Sequence, residues 1–433
     1  MMLAVPSIGS SFPRRLESSH SKMHFLLTRW IPACTKSRQF ATRQAECKVV
    51  TAGMTAYWGL RFVILSAALL LSACGNKELP TYQEQGYVFG TLVEVSVYGE
   101  DEAHARKAVT QVMQEFQRLH DLLHAWKPSA LSDLNAAFAK GESREVAPEV
   151  AAMLKDAAQL SAQSGGLFNP AIGGLIKLWG FQADEFKAAL PDEKQVAALV
   201  AAHPQMSDLV FSPSPPTPLS EITSHSTRLQ ESAVKSLVIP QGERGEMVGS
   251  RNPAVLLDLG GYAKGYALDR AVALLKQQGI RNALINIGGN VLALGTHGER
   301  AWRVGIQHPR KPGPIATLEL RDGEAIGTSG DYQRYFEFGG KRYCHLIDPR
   351  TGQPVQGVQA VTILTHGAHA GTLSDASSKP LFISGSAGWN NAAQKMNLAE
   401  ALLIEDDGTV HLTAVMQKRL EFADKATVIK IEP

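Results

Sequence analysis

Val93, Val95 and Val97 alternate with polar residues, which is the period of a strand with one buried face. Farther on, Val109, Val112, Met113, Phe116, Leu119, Leu122 and Leu123 recur at helical spacing, as do Val150, Met153, Leu154, Ala157 and Leu160. From Ala254 to Leu259 the chain is apolar apart from Asp258, predicting a buried strand, and Gly260-Gly261 break it. Ala267, Leu268, Ala271, Leu274 and Leu275 then mark a helix that Gly279 ends, and Ala283 to Ile287 form another strand closed by Gly288-Gly289. Thr328 to Tyr332 reads as a turn, Tyr335 to Phe338 as extended, and His345 to Gly352 as a strand end entering a Pro/Gly turn. Val361 to Leu364 and Ala401 to Ile404 supply further strands. Strands and helices mix throughout, so the expected fold class is α+β (α/β mixed), a single domain with a surface insertion. The insertion is expected at 212–250, where Ser-Pro-Ser-Pro-Pro-Thr-Pro leads into a stretch rich in Ser, Glu, Arg and Gly.

The N-terminal region follows different rules. Arg61 precedes an apolar run, Phe62 to Leu71, too short to span a bilayer but suited to the core of a signal peptide. It ends in Leu71-Ser-Ala-Cys74-Gly, which resembles the lipobox of bacterial lipoproteins. Residues 54–73 are therefore expected to be a lipoprotein signal peptide, Cys74 the lipidated residue, and 74–85 a tether ahead of a domain at 86–433. Residues 1–53 lack clear periodicity, and signal peptides begin near the initiator, so these are expected to be a non-native or disordered extension before Met54. With 433 residues, 44% of them apolar, the chain can bury a substantial core. A net charge of +2, without an Arg/Lys patch interleaved with aromatics, gives no sign of a nucleic-acid partner. Of four cysteines, Cys344 alone falls in the folded body, excluding an internal disulfide there, and no CxxC metal site is present.

Chemistry concentrates at Asp258-Leu-Gly-Gly-Tyr-Ala-Lys264. A carboxylate, two glycines and a lysine at a strand-to-helix junction suit an anionic ligand such as a nucleotide, because a helix start presents free N–H groups and positive potential. Neither a Walker A nor a G-x-G-x-x-G pattern occurs, so a standard P-loop or dinucleotide fingerprint is not the explanation. An ordinary α/β unit whose glycines only permit tight turns would look the same locally.

Five motifs in order nevertheless resemble one family, the ApbE family of FAD:protein FMN transferases: Gly166-Leu-Phe-Asn-Pro170 with Leu178-Trp-Gly-Phe181, Asp258 to Asp269, Gly288 to Gly295, Ser329 to Tyr332, and His345 to Gly352. The resemblance runs from about Gly86 to Phe422, outside the insertion. It implies an enzyme that cleaves the pyrophosphate of FAD with Mg²⁺, transfers FMN to a threonine or serine of an acceptor protein and releases AMP. Acceptor flavoproteins of membrane electron-transfer complexes are the implied partners, and a lipid anchor on the periplasmic side of the inner membrane the implied location. Carried over residue by residue, Asp258 would contact FAD, Lys264 would sit by the pyrophosphate, and Phe89 and Trp126 would pack on the flavin or adenine. Leu167, Phe168, Asn169 and Ile347 would line the cofactor pocket. His345 would handle the acceptor's proton, and Gly261, through its carbonyl, with Asp375 would ligate the metal.

One position departs from this pattern. The family places metal ligands in D-A-x-x-T, and here Asp375-Ala-Ser-Ser-Lys379 puts lysine where a threonine oxygen belongs. An ammonium at that point repels a hard cation that wants oxygen donors. Ser378 could supply the oxygen, water could fill the position, or the ammonium could itself neutralise phosphate. The alternative function is a catalytically impaired FAD-binding lipoprotein or flavin-delivery factor.

Overall fold

The computed structural model describes residues 79–183, 185–214 and 245–432, so Cys74, the signal-peptide segment and most of the insertion lie outside the described residues. The chain enters through a hairpin, β1 (Thr81–Val88) and β2 (Thr91–Tyr98), and continues into helices α1 (Glu102–Leu122) and α2 (Ala130–Phe138). Next come β3 (Arg144–Val146), α3 (Pro148–Gln163), α4 (Gly173–Leu178), α5 (Glu193–Ala202), β4 (Leu209–Pro213) and β5 (Glu246–Ser250). Helix α6 (Ala263–Gln277) leads to β6 (Ala283–Ile287), β7 (Asn290–Leu294), β8 (Trp302–Gln307), β9 (Pro314–Leu320), β10 (Glu324–Gly330), β11 (Tyr335–Phe338) and β12 (Lys341–Cys344). The chain closes with β13 (Val358–His366), α7 (Ala370–Lys395), β14 (Ala401–Glu405), β15 (Val410–Thr413), α8 (Ala414–Gln417), β16 (Glu421–Phe422) and β17 (Ile429–Glu432).

A nine-stranded sheet in the order β1-β2-β6-β7-β10-β13-β14-β15-β17 is the frame, antiparallel except at β15–β17. Helices α1, α6 and α7 pack on it, with α6 against both α1 and α7, and the apolar faces of β2, β6, α1, α2, α3 and α6 share one core that includes Val93, Val95, Phe116, Leu134, Leu268 and Ile285. A second core joins the small sheet β8-β9-β16 to residues of β7, β10, β13 and β14, among them Trp302, Leu318, Ile326 and Leu402. Strand β13 is buried from Val358 to Thr365, with Ala360 and Leu364 in the second core and Val358, Val361 and Ile363 in a third with Leu381, Phe382 and Trp389 of α7, so Gln359, Thr362 and Thr365 are buried as well.

Several expectations hold and some need correction. Strand β2, helices α1, α3 and α6, and strands β6, β13 and β14 stand where periodicity placed them, although α1 starts earlier, where Asp101 accepts from the His104 amide as N-cap. Gly288 and Gly289 turn β6 into β7 with φ of 58° and 91°, a double left-handed turn that glycine adopts without strain. The run Ala254 to Leu259 is not a strand in any sheet. Its backbone instead bonds the 170–173 segment, through Leu256 N to Ala171 O at 3.2 Å and Gly173 N to Leu256 O at 2.7 Å. The amide of Asn135 brackets it from α2, donating to Leu257 O at 2.9 Å and accepting from Leu257 N at 2.7 Å. Apolar periodicity reports burial, and here a side chain replaces a ladder. Thr328 to Gly330, expected as turn, finish β10 in register with β13. Both edges of the expected insertion are paired, because β4 and β5 are antiparallel neighbours, and β1 begins inside the segment expected as tether.

Candidate active site

Helices α6 and α7 cross where a glycine of each faces the other. A Cβ on Gly265 would lie 2.3 Å from the Gly371 carbonyl oxygen and 2.7 Å from the Asp375 Cβ, so only glycine permits the approach. Each helix then supplies a carboxylate to the other's first turn. Asp375 of α7 accepts from the Gly265 amide through Oδ2 at 3.0 Å. In return, Asp269 of α6 accepts from the amides of Gly371 and Thr372, both at 2.8 Å, and from Thr372 Oγ1 at 2.6 Å. Neither helix has a side-chain cap of its own, so these carboxylates satisfy donors that would otherwise be orphaned and oppose the positive helix ends. Burial pushes the Asp269 carboxyl up despite its hydrogen bonds.

The same crossing assembles a charge cluster. Lys264 Nζ lies 3.6 Å from Asp375 Oδ1 and donates to Gly260 O at 3.1 Å. Lys379, one turn after Asp375 on α7, donates to that same Oδ1 and to the Asp375 carbonyl at 2.6 Å. Asp375 is completely buried, whereas Lys264 and Lys379 keep 21% and 13% of their side chains exposed. Burial alone would push Asp375 up, but the charges of Lys264 and Lys379 hold it down to about 2. Lys379 is pushed down to about 8, by burial first, against the pull of Asp375.

Beside the cluster, Asp258 is half-buried and held from both sides. Its Oδ1 accepts from Gly260 N and its Oδ2 from Gln182 Nε2, each at 2.9 Å. His345 follows β12, and its Nδ1 faces the Arg334 carbonyl at 3.2 Å. A carbonyl only accepts, so Nδ1 carries the proton and Nε2 the lone pair. Burial first, then the charges of Arg334, Lys264 and Lys379, push the imidazole down to about 3, so it is neutral at physiological pH.

An aromatic row extends from this region. Phe89, held at φ 56° in the β1–β2 turn, meets His120 edge-on at 5.8 Å; His120 meets His124 at 5.1 Å, and His124 meets Trp126 at 4.5 Å. The Arg334 guanidinium lies 5.8 Å from the Trp126 ring and 5.1 Å from Phe186, and donates to Phe181 O at 2.7 Å. Trp126 remains 37% exposed. A row of faces and edges ending at a cation suits a flat heteroaromatic ring.

The structure thus brings Gly261, Lys264, His345, Asp375 and Lys379 together, and runs Phe89 and Trp126 along one aromatic row. Phe168 joins the cluster, its Cε2 being 3.7 Å from where a Gly261 Cβ would stand. Leu167 is half-buried next to it. Asn169 is buried with its amide engaged internally, donating to Pro204 O and accepting from Ala171 N, and Ile347 packs among Ile172, Trp179 and Phe336. Both are part of the packed wall of this region. Cys344 is free, buried and pushed up to about 12, a packing residue. Sequence reasoning missed Asp269, Gln182, Arg334 and the two histidines. Asp269 ends the motif that begins at Asp258, and Gln182 directly follows Phe181, so adjacency to motifs was the available signal. A separate cavity of about 470 Å³, lined by Ser161, Gly166, His203, Gln205 and Arg350 among others, includes none of the cluster.

The oxygens that Asp375 and Ser378 would offer a divalent ion are all engaged within the protein, which does not fit such an ion at position 379. Asp375 has its Oδ1 on Lys379, its Oδ2 on Gly265 N and its carbonyl on Lys379 Nζ and Ser378 Oγ. Ser378, fully buried, is engaged with Asp375 O at 2.8 Å and Ser329 Oγ at 2.7 Å. Among the described residues no group of three His, Cys, Asp or Glu is placed to hold a metal.

A mixed α+β scaffold that sets two ammoniums around one carboxylate at a glycine-lined helix start, next to an aromatic row, is of the class suited to an anionic ligand with a flat ring. More closely, the chain belongs to the ApbE family, whose model matches residues 89–403. It is 42% identical over 359 residues to the FAD:protein FMN transferase of Rhodobacter capsulatus, covering 82% of this chain and 62% of that protein. Identity to the enzyme of the same name from Treponema pallidum (strain Nichols) is 30% over 389 residues, 86% of this chain and 98% of the relative. The crystal structure of the ApbE protein of Thermotoga maritima superposes with a TM-score of 0.64 at 26% identity, covering 78% of this chain and 99% of that one. The flavin transferase ApbE of Vibrio cholerae, 23% identical with a TM-score of 0.61, shares the fold over 78% of this chain and 100% of its own.

Proposed function

We propose that this protein is an FAD:protein FMN transferase, exported and held by a lipid on Cys74 at the periplasmic face of the inner membrane, that loads FMN onto a threonine or serine of redox proteins in membrane electron-transfer complexes. The observation that carries the reading is the Lys264–Asp375–Lys379 cluster, set at the start of α6 in a chain of this family. In the transfer, the acceptor hydroxyl oxygen attacks the phosphorus on the FMN side of the pyrophosphate. The bond from that phosphorus to the bridging oxygen breaks, and AMP leaves with the bridging oxygen and its electron pair. Charge grows on the leaving phosphate, where the two ammoniums stabilise it. His345 Nε2, which carries the lone pair, is the group to take the hydroxyl proton, and its basicity rises once the anionic pyrophosphate offsets the Arg334, Lys264 and Lys379 charges that depress it. Trp126, Phe89 and Arg334 offer the flat surface against which the flavin or adenine ring rests. Mg²⁺ fits the family's chemistry, but the oxygens of Asp375 are engaged by Gly265 N and Lys379 Nζ here.

The test is to incubate the purified protein with FAD and an acceptor domain and to weigh the acceptor. A gain equal to one FMN phosphoester, with AMP released, is expected. FAD binding without any gain would instead support the second reading, an FAD-holding or flavin-delivery protein.

A further inference from the structure

We propose that Lys379 is a built-in cation: its ammonium stands at the ion position of the cluster, so the protein grips the pyrophosphate of its dinucleotide without any divalent metal. The inference rests on the FAD reading above and deepens it. Three observations carry it. First, Lys379 Nζ bonds both the carboxylate and the main-chain carbonyl of Asp375, the acidic residue of the cluster that a hard ion would draw on. Second, the obvious substitute oxygen is not free, because Ser378 Oγ is locked between Asp375 O and Ser329 Oγ in a fully buried position. Third, the lysine stem has a fitted bed. Its Cε passes 3.2 Å from the point where a Cβ of Gly261 would stand, so a side chain at 261 would crowd the ammonium away from Asp375.

The charge count agrees. Within the triad two ammoniums stand against one carboxylate, and Asp258 beside it is held by Gly260 N and Gln182 Nε2 rather than by either lysine. Each ammonium has three donors; Lys379 engages two on Asp375 and Lys264 one on Gly260, so both retain N–H groups for phosphate oxygens. A lysine cannot dissociate as a metal does, so the grip is independent of metal supply.

The experiment uses the full protein stripped with EDTA and follows FAD binding by flavin fluorescence and Mn²⁺ binding by paramagnetic resonance. Wild type is expected to bind FAD within about twofold equally in EDTA and in millimolar Mg²⁺, and to show no stoichiometric Mn²⁺ site. Lys379→Met should weaken FAD binding by about tenfold or more in both, the cost of a lost charge-assisted hydrogen bond. Lys379→Thr should be weak in EDTA and recover with Mg²⁺, and its far-ultraviolet circular dichroism should match wild type. Wild-type binding that collapses in EDTA and returns with Mg²⁺ would overturn the proposal, as would Lys379→Met binding FAD like wild type. Absence of FAD binding by wild type under every condition would sink the FAD reading as well, whereas FAD bound without acceptor modification would sink the transferase reading alone.

Discussion

Gly265→Ala tests whether the α6–α7 crossing builds the charge cluster. The added Cβ would stand 2.3 Å from Gly371 O and 2.7 Å from the Asp375 Cβ, against the 3.4 Å at which ordinary contact begins, so the helices must part by about 1 Å. Neither obstacle can rotate away, which puts the overpacking near the top of its usual range, about 3 kcal/mol. Parting also loosens the charge-assisted bond from Gly265 N to Asp375, worth about 1.5 kcal/mol, while alanine returns about 1 kcal/mol of helix propensity. The net destabilisation is about 3.5 kcal/mol, or a melting temperature lower by roughly 7 °C for a domain of this size. Because Asp375 holds both ammoniums, FAD affinity should fall roughly tenfold as well. Urea unfolding and flavin fluorescence titration read the two effects. Gly174→Ala is the control, since its Cβ would meet only the flexible end of Leu199 at 3.3 Å and should cost less than about 1 kcal/mol. An unchanged urea midpoint and FAD affinity in Gly265→Ala, or an equal loss in the control, would refute the reasoning.

Asp375→Asn should lower stability by about 3 kcal/mol at neutral pH, because it strands two cations at a buried site. The loss should shrink above pH 8, where Lys379 can shed its proton, and urea titrations at two pH values check this. Acid stability follows from groups whose folded pKa lies below the unfolded one: His345 at about 3 against 6.5, and Asp375 at about 2 against 3.8. The unfolded state binds more protons within each window. Their contribution is therefore complete above 6.5 and 3.8 and is lost as pH falls through each window, at no more than about 1.4 kcal/mol per pH unit per group. His345→Gln should flatten the upper part of that slope in a pH series of melting curves; an unchanged slope would show that His345 is not its source. Trp126→Ala should weaken FAD binding about tenfold with little effect on stability, given its exposed ring, whereas equal affinity in the variant would place the ring system elsewhere.

The sequence by itself determined the elements with a clean period and the chemistry that is local in the chain. Strand β2, helices α1, α3 and α6 and the Gly288-Gly289 turn are each specified by residues that are neighbours, and so is the motif from Asp258 to Lys264. Local pattern failed where burial and ladder pairing part company, as at Ala254 to Leu259, which is apolar because it is covered yet bonds the side chain of Asn135 and the 170–173 segment. Only the tertiary structure decided what Lys379 does. In the sequence it is a threonine position lost; in the fold it lies across Gly261 with its charge on Asp375, more than a hundred residues beyond Lys264. The reciprocal capping by Asp269 and Asp375 was equally invisible, since it requires two glycines on separate helices to meet. Periodicity encodes which face of an element is buried, but it carries no information about which distant element lies against that face, and the charge cluster exists only at such a contact.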